Sequence, residues 1–118
     1  MKPDDPLGRV AERLRKFASD RDWNKFHSPK NLATALSVEA SEVLEHFQWL
    51  THEESQSIST IDKDNFSLEL ADVFLYLIRL ADILEIDLMD SADRKIDLNS
   101  EKYPVALAHG SARKYTKL

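Results

Sequence analysis

The sequence predicts an all-α fold. Apolar residues recur at three- and four-residue spacing along most of the chain, and Asp-Pro and Ser-Pro pairs stand where such segments open. Only 2 Gly and 4 Pro occur in 118 residues, too few for a turn-rich sandwich or barrel. With 42% hydrophobic residues the chain can bury a core, and its length suits one domain spanning residues 1–118.

Four main helices are expected. In the first, Leu7, Val10, Leu14 and Phe17 line one face, Asp5 caps, Pro6 takes the first helical position, and the pattern fades before Trp23. The second opens on Ser28 and Pro29 and runs to about Leu50. Residues 51–60 are polar and read as a loop. The third helix runs from about Ile61 to Leu84. Asp87 caps the fourth, which stops before Pro104 because proline lacks the amide hydrogen that a helix interior needs. From about residue 105 the chain is basic and reads as irregular.

The third helix is apolar on two sides. At about 100° per residue, Leu70, Val73, Phe74, Leu77, Leu80, Ala81 and Leu84 form one face, with Leu68, Leu75 and Ile78 nearly opposite. A helix apolar on two sides needs cover on both. The pattern points to a homo-oligomer with this helix at the contact; the other reading is a central helix of a monomer.

Composition narrows the function. The absence of Cys excludes disulfides, zinc thiolates and cysteine nucleophiles, and permits a reducing interior. A net charge of −5 disfavours a duplex nucleic-acid binder. The opening MKPDDPLGRV lacks the apolar stretch of a signal peptide, and the run Val73–Leu80 is far short of a membrane span. The expectation is a soluble, cytoplasmic protein that binds neither nucleic acid nor membrane.

Two acid pairs stand out. Glu39 and Glu42 on the second helix, and Glu69 and Asp72 on the third, are each three residues apart, so each pair shares a helical face. Glu39 lies at the edge of the apolar face set by Leu32, Leu36, Val43 and Phe47, with Glu42 on the same flank. Glu69, Asp72 and Tyr76 make a polar stripe between the two apolar sides. Glu42 lies about 12 Å from its helix end near Leu50, and Glu69 about 14 Å from its helix start. An antiparallel hairpin would bring the pairs level. The residues alone leave two readings: a solvated acidic face, or four carboxylates around a hard divalent cation, for which oxygen-only ligation suits Mg²⁺ or Mn²⁺. A di-iron bundle is excluded because no histidine follows a glutamate at the required three-residue spacing. No nucleophile elbow supports a Ser-His-Asp hydrolase.

Glu39-x-x-Glu42, 26 intervening residues, then Glu69-x-x-Asp72 resembles the signature of the all-α, MazG-like nucleoside triphosphate pyrophosphohydrolases. The dCTP pyrophosphatase branch is the closer likeness. It is carried by Arg21-Asp22-Trp23, Phe26 through Leu32, Glu39-Ala40-Ser41-Glu42, Glu45 through Trp49, Glu69 through Val73, Tyr76-Leu77, Asn99, Lys102 through Val105 and Gly110 through Tyr115. The resemblance implies a MazG-like helical bundle completed by dimerisation, often as a tetramer of paired dimers. It implies Mg²⁺-dependent cleavage between the α and β phosphates, with Glu39, Glu42, Glu69 and Asp72 as metal ligands. Trp23, His27 and Trp49 are implied at the base.

Beside that likeness, Tyr76 can stack on a base, Asn99 can hydrogen-bond its edge, and Tyr103 joins the substrate-binding set. Lys95, Lys102, Arg113 and Lys114 are candidates for phosphate, and Glu42 or Glu39 for taking the proton of the attacking water. His46 and His52 read as surface residues. One departure concerns selectivity: where members of the branch can carry a histidine nine residues before the tryptophan, this chain has Leu14. The expected activity is hydrolysis of dCTP or a modified relative, clearing unwanted nucleotides. The alternatives are a broader dNTP pyrophosphatase and a non-catalytic helical interaction module.

Overall fold

The computed structural model describes residues 1–118, except for the side chains of residues 60 and 61. All of its regular elements are helical: α1 (Pro6–Asp20), α2 (Pro29–Glu45), α3 (His52–Ser55), α4 (Thr60–Ile83), α5 (Leu88–Lys102) and α6 (Val105–Ala108), with 3₁₀ turns at Asn24–Phe26 and Tyr115–Lys117. The chain divides into two compact units, Met1–Ile86 and Asp87–Leu118. Among the described residues, no helix is long and apolar enough to cross a membrane.

The four long helices begin where their sequence signals place them. Asp5, Ser28 and Asp87 accept hydrogen bonds from the backbone N–H groups of Leu7, Asn31 and Asp90, satisfying donors that the first helical turn leaves free. Proline opens α1 and α2, where its missing N–H costs nothing. Three expectations need correction. Helix α2 ends at Glu45 rather than near Leu50, and residues 46–50 turn instead. The expected loop contains α3, closed by a reciprocal capping box between Thr51 and Glu54. The tail contains the single-turn helix α6.

Helices α1 and α4 end alike, although neither carries a glycine there. Asp22 and Glu85 both adopt φ of 55°. The N–H of Trp23 reaches the Ala18 carbonyl at 2.9 Å, and that of Ile86 reaches Ala81 at 2.8 Å. These are Schellman closures with an acidic residue in the left-handed position. The first one matters for the site, because it swings Trp23 back against the end of α1. Gly8 serves a different need, since a Cβ there would collide with the backbone of Lys2.

In the first unit α4 packs chiefly against α2 and next against α1. Cross-helix pairs fix the direction. His46 meets Glu69, Phe47 meets Phe66, and His27, just ahead of α2, meets Arg79, so α2 and α4 run antiparallel as expected. Arg15 on α1 clasps Asp82 on α4 through two hydrogen bonds of 2.7 and 3.2 Å. The fully buried core is small: Ala11, Ala18, Leu32, Ile78 and Ala81.

Burial is uneven over the two apolar sides of the long helix. Ile78 is buried and Leu75 half-buried, whereas Leu70, Phe74, Leu77 and Leu84 on the richer side are exposed, as is Leu68. The exposed positions 70, 74, 77 and 84 are spaced by four, three and seven residues, which keeps them on one stripe of the helix, as in a helix-pairing seam.

Glu85 offers a test of the Schellman reading. Glu85→Gly removes the left-handed penalty of a side chain while adding glycine's chain entropy, a net stabilisation of about 0.5–1 kcal/mol. Urea or thermal unfolding should show the gain, while Glu85→Val should lose stability.

Candidate active site

The antiparallel pairing of α2 and α4 turns two separate acid pairs into neighbours. Glu39 and Glu42 face the groove from α2, and Glu69 and Asp72 from α4. The Glu39 carboxyl is held above its ordinary pKa, first by burial, then by a hydrogen bond shared with Glu42, then by the charges of Glu42, Asp72 and Glu69. Its Oε2 is sealed from solvent and has no hydrogen-bond partner among the described residues. A buried carboxylate oxygen without a donor is costly, and a cation or a proton must relieve it.

Glu69 differs from the other three. Its carboxylate lies 2.6 Å from His46 Nε2, and the imidazole stacks edge-on against Phe66 at 5.2 Å. His46, expected to be a plain surface residue, therefore has a partner, although it stays largely exposed. Among the described residues no three acidic or imidazole side chains converge closely enough to hold an ion as they stand. The donor set is all carboxylate oxygen, the chemistry of a hard cation, and the orphaned Glu39 oxygen supplies the vacant electron pair. The donor chemistry of the four residues thus fits a hard divalent ion.

Beside the acids lies a cavity of about 490 Å³, whose wall includes Trp23, His27, Asp72, Tyr76 and Arg79. Arg13, Leu14 and Phe17 of α1 close another side. Asp72 thus belongs both to the acid group and to the cavity. The aromatic wall is organised locally. The Schellman turn places Trp23 edge-on to Phe17 at 5.5 Å, and the Arg21 guanidinium lies over the Phe17 ring, 3.7 Å from its centre. His27 follows at 6.3 Å from Trp23. Its imidazole is held below its ordinary pKa, mainly by burial and then by the charge of Arg79.

Arg79 is the residue that sequence reading missed. It is only 7% exposed. It donates from Nε to His27 Nδ1 at 3.2 Å and from Nη2 to Asn24 Oδ1 at 2.7 Å. The signal was present as the lone cation inside the apolar run Val73–Leu80.

The other expected residues are distributed as follows. Tyr76 lines the cavity, as expected. Trp49 sits in the turn after α2, 86% exposed and outside the cavity wall. Lys95, Asn99, Lys102 and Tyr103 belong to the second unit. There positions 95, 99 and 102 follow helical spacing along α5, and Tyr103 packs edge-on to Tyr115 at 5.9 Å. The Lys102 ammonium lies 5.1 Å from the Tyr115 ring centre. Arg113 and Lys114 are exposed in the tail.

Comparison with known families places this arrangement. The model of the MazG-like family matches residues 34–118, which include all four acids. The chain belongs to the MazG-like family. Mouse and human dCTP pyrophosphatase 1 are each 40% identical to it over 118 residues, covering 98% of this chain and 69% of the relative. Among solved structures, a pyrophosphatase from Archaeoglobus fulgidus superposes with a TM-score of 0.79 at 38% identity, covering 85% of this chain and 94% of that one. The resemblance drawn from the motifs is thus borne out at the level of family and fold. The MazG-like match begins after Trp23 and His27, so the aromatic wall of this MazG-like chain rests on its own geometry.

The strain at Glu39 makes a prediction with a definite sign. A carboxyl whose pKa is raised by folding destabilises the fold above that pKa, and the cost vanishes below the ordinary carboxylate range. In chelator-treated protein, Glu39→Gln should raise the melting temperature by a few degrees at alkaline pH. The gain should shrink as pH falls, and thermal melts across pH will show it.

Proposed function

We propose that this MazG-like chain is a divalent-metal-dependent dCTP pyrophosphatase, cleaving dCTP or a modified deoxycytidine triphosphate to the monophosphate and pyrophosphate. The hydrolase class follows from pyrophosphatases at 38–40% identity over most of the chain. The observation that carries the finer reading is the dual position of Asp72, which joins a carboxylate cluster to an aromatic-walled cavity. A nucleotide has the same two ends, a polyphosphate and a flat base. A volume of about 490 Å³ is ample for a nucleoside and lies in the usual range for small-molecule sites.

In this proposal Glu39, Glu42, Glu69 and Asp72 hold Mg²⁺, with Mn²⁺ as a substitute; the ion, when bound, neutralises phosphate charge and polarises the anhydride. The protein's residues do the rest. Trp23 and Tyr76 pack against the base, and His27 hydrogen-bonds its edge. Glu39 or Glu42 takes the proton as the water oxygen bonds to phosphorus, and the bridging oxygen departs with pyrophosphate. Of the second unit's residues, Lys95 and Lys102 are kept for the phosphates, Asn99 for the edge of the base and Tyr103 for the substrate, and exposed Trp49 is kept for the base. On this reading both units form one functional domain, in keeping with a family match that spans them. The seam of Leu70, Phe74, Leu77 and Leu84 is where two copies would pair as a dimer, or as the dimers of a tetramer.

One observation favours a second reading. Leu14, where members of the resembled branch can carry a histidine, lines the cavity. An apolar wall there loosens polar readout and suits a broader dNTP pyrophosphatase.

A panel of nucleotides with Mg²⁺, assayed by pyrophosphate release, separates the two. The proposal expects dCTP to exceed dATP and dGTP by at least about tenfold in kcat/KM. Equal turnover of purines selects the broader enzyme, and no turnover of any nucleotide rejects both. Glu42→Gln should abolish turnover while leaving the circular dichroism spectrum intact. Pairing has its own measurement. In sedimentation velocity the wild type should run as a dimer or larger, and Leu70→Glu with Phe74→Glu as a monomer.

A further inference from the structure

The bonds made by Arg79 determine which atom His27 presents to the cavity. A guanidinium has five N–H donors and no lone pair, so whatever it bonds must accept. Its Nε lies 3.2 Å from His27 Nδ1, and that nitrogen must therefore be bare. A neutral imidazole carries one proton, which then resides on Nε2. Nε2 has no protein partner among the described residues, and the ring forms part of the cavity wall. Hence His27 enters the cavity as a donor.

Arg79 is itself held in place. Its Nη2 bonds Asn24 Oδ1 at 2.7 Å, and its Nη1 lies 4.0 Å from Asp82 Oδ2. Asp82 is in turn held by Arg15 from α1. The guanidinium is thus held by Asn24 and His27, with Asp82 at ion-pair distance, and it can offer His27 no acceptor.

We infer that Arg79 is a positioning residue that locks His27 in its Nε2–H form, so that the cavity selects a pyrimidine whose ring N3 is bare. Cytosine offers adjacent N3 and O2 acceptors. Uracil and thymine carry a hydrogen on N3, and a fixed donor opposite it is left unpaired and repelled. Discrimination against a base that cannot accept costs more than a lost apolar contact, because the desolvated donor goes unsatisfied. The inference rests on the reading of this cavity as the base site.

The test has two independent parts. In nucleotide-free protein labelled with ¹⁵N-histidine, long-range ¹H–¹⁵N spectra at mildly alkaline pH should show His27 with a pyridine-type Nδ1 and a pyrrole-type Nε2. In Arg79→Leu the ring should become a tautomer mixture, and in Arg79→Lys, still a pure donor, the Nε2–H form should persist. A proton on Nδ1 in the wild type, or an unchanged tautomer in Arg79→Leu, overturns the lock. In the second part, the dCTP-over-dUTP ratio of kcat/KM should fall about tenfold in Arg79→Leu. The change should fall mainly on KM for dCTP, with recovery in Arg79→Lys. Asn24→Ala, an exposed change that releases one bond of Arg79, should shift the ratio the same way by less, and it serves if Arg79→Leu does not fold. An unchanged ratio in Arg79→Leu, or in Asn24→Ala where Arg79→Leu does not fold, overturns the selectivity. Absence of turnover with every nucleotide instead counts against the proposed function, while the spectra still decide the lock.

Discussion

The antiparallel contact of α2 with α4 forces four carboxylates into one groove, and the rest of the first unit answers to that conflict. Apolar packing supplies the closing force, with Phe47 set edge-on against Phe66 and Leu32 and Ile78 sealed in the core. Electrostatics pushes the other way. Glu39 sits half-buried with an unsatisfied oxygen and a raised pKa. Such a conflict persists in a fold only when surrounding contacts over-determine it, and strain of this kind concentrates where function needs it. His46 softens it from one end by pairing with Glu69.

The cavity shows the same economy of means. A single turn after α1, closed through Asp22 in a left-handed conformation, delivers Trp23 to Phe17 and sets Asn24 and His27 beside α4. Arg79 ties that turn to α4, and Asp82 with Arg15 ties α4 to α1. Arg79 is thus a buried cation that donates to His27 and to Asn24, with Asp82 at ion-pair distance. Asp72 makes the aromatic cavity and the acid groove adjoining parts of one site.

Much of this was legible in the sequence because it depends on local chemistry. Asp5, Ser28 and Asp87 announce helix starts through their side-chain acceptors, and acids three apart on a helix must share a face. Helix ends were harder to read. Asp22 and Glu85 close α1 and α4 in a role that glycine normally signals, and α2 stops at Glu45 without any breaker. The capping box at Thr51 and Glu54 was readable, yet it was obscured by the polar composition around it. Arg79 could not be assigned a partner from the sequence, since His27 and Asn24 lie more than fifty residues away. The pairing of His46 with Glu69 was hidden for the same reason. Long-range partners of polar residues follow from the register of α2 on α4, which local patterns leave undetermined.

The central claim, that the acids of α2 and α4 share an ion beside a nucleotide base, is tested most directly by crystals of the chain grown with Mn²⁺ and a non-hydrolysable dCTP analogue. An anomalous difference map should place Mn²⁺ among Glu39, Glu42, Glu69 and Asp72, with the cytosine ring against Trp23. A bound analogue with its metal elsewhere, or with residues 39 and 42 turned away from 69 and 72, would contradict the account.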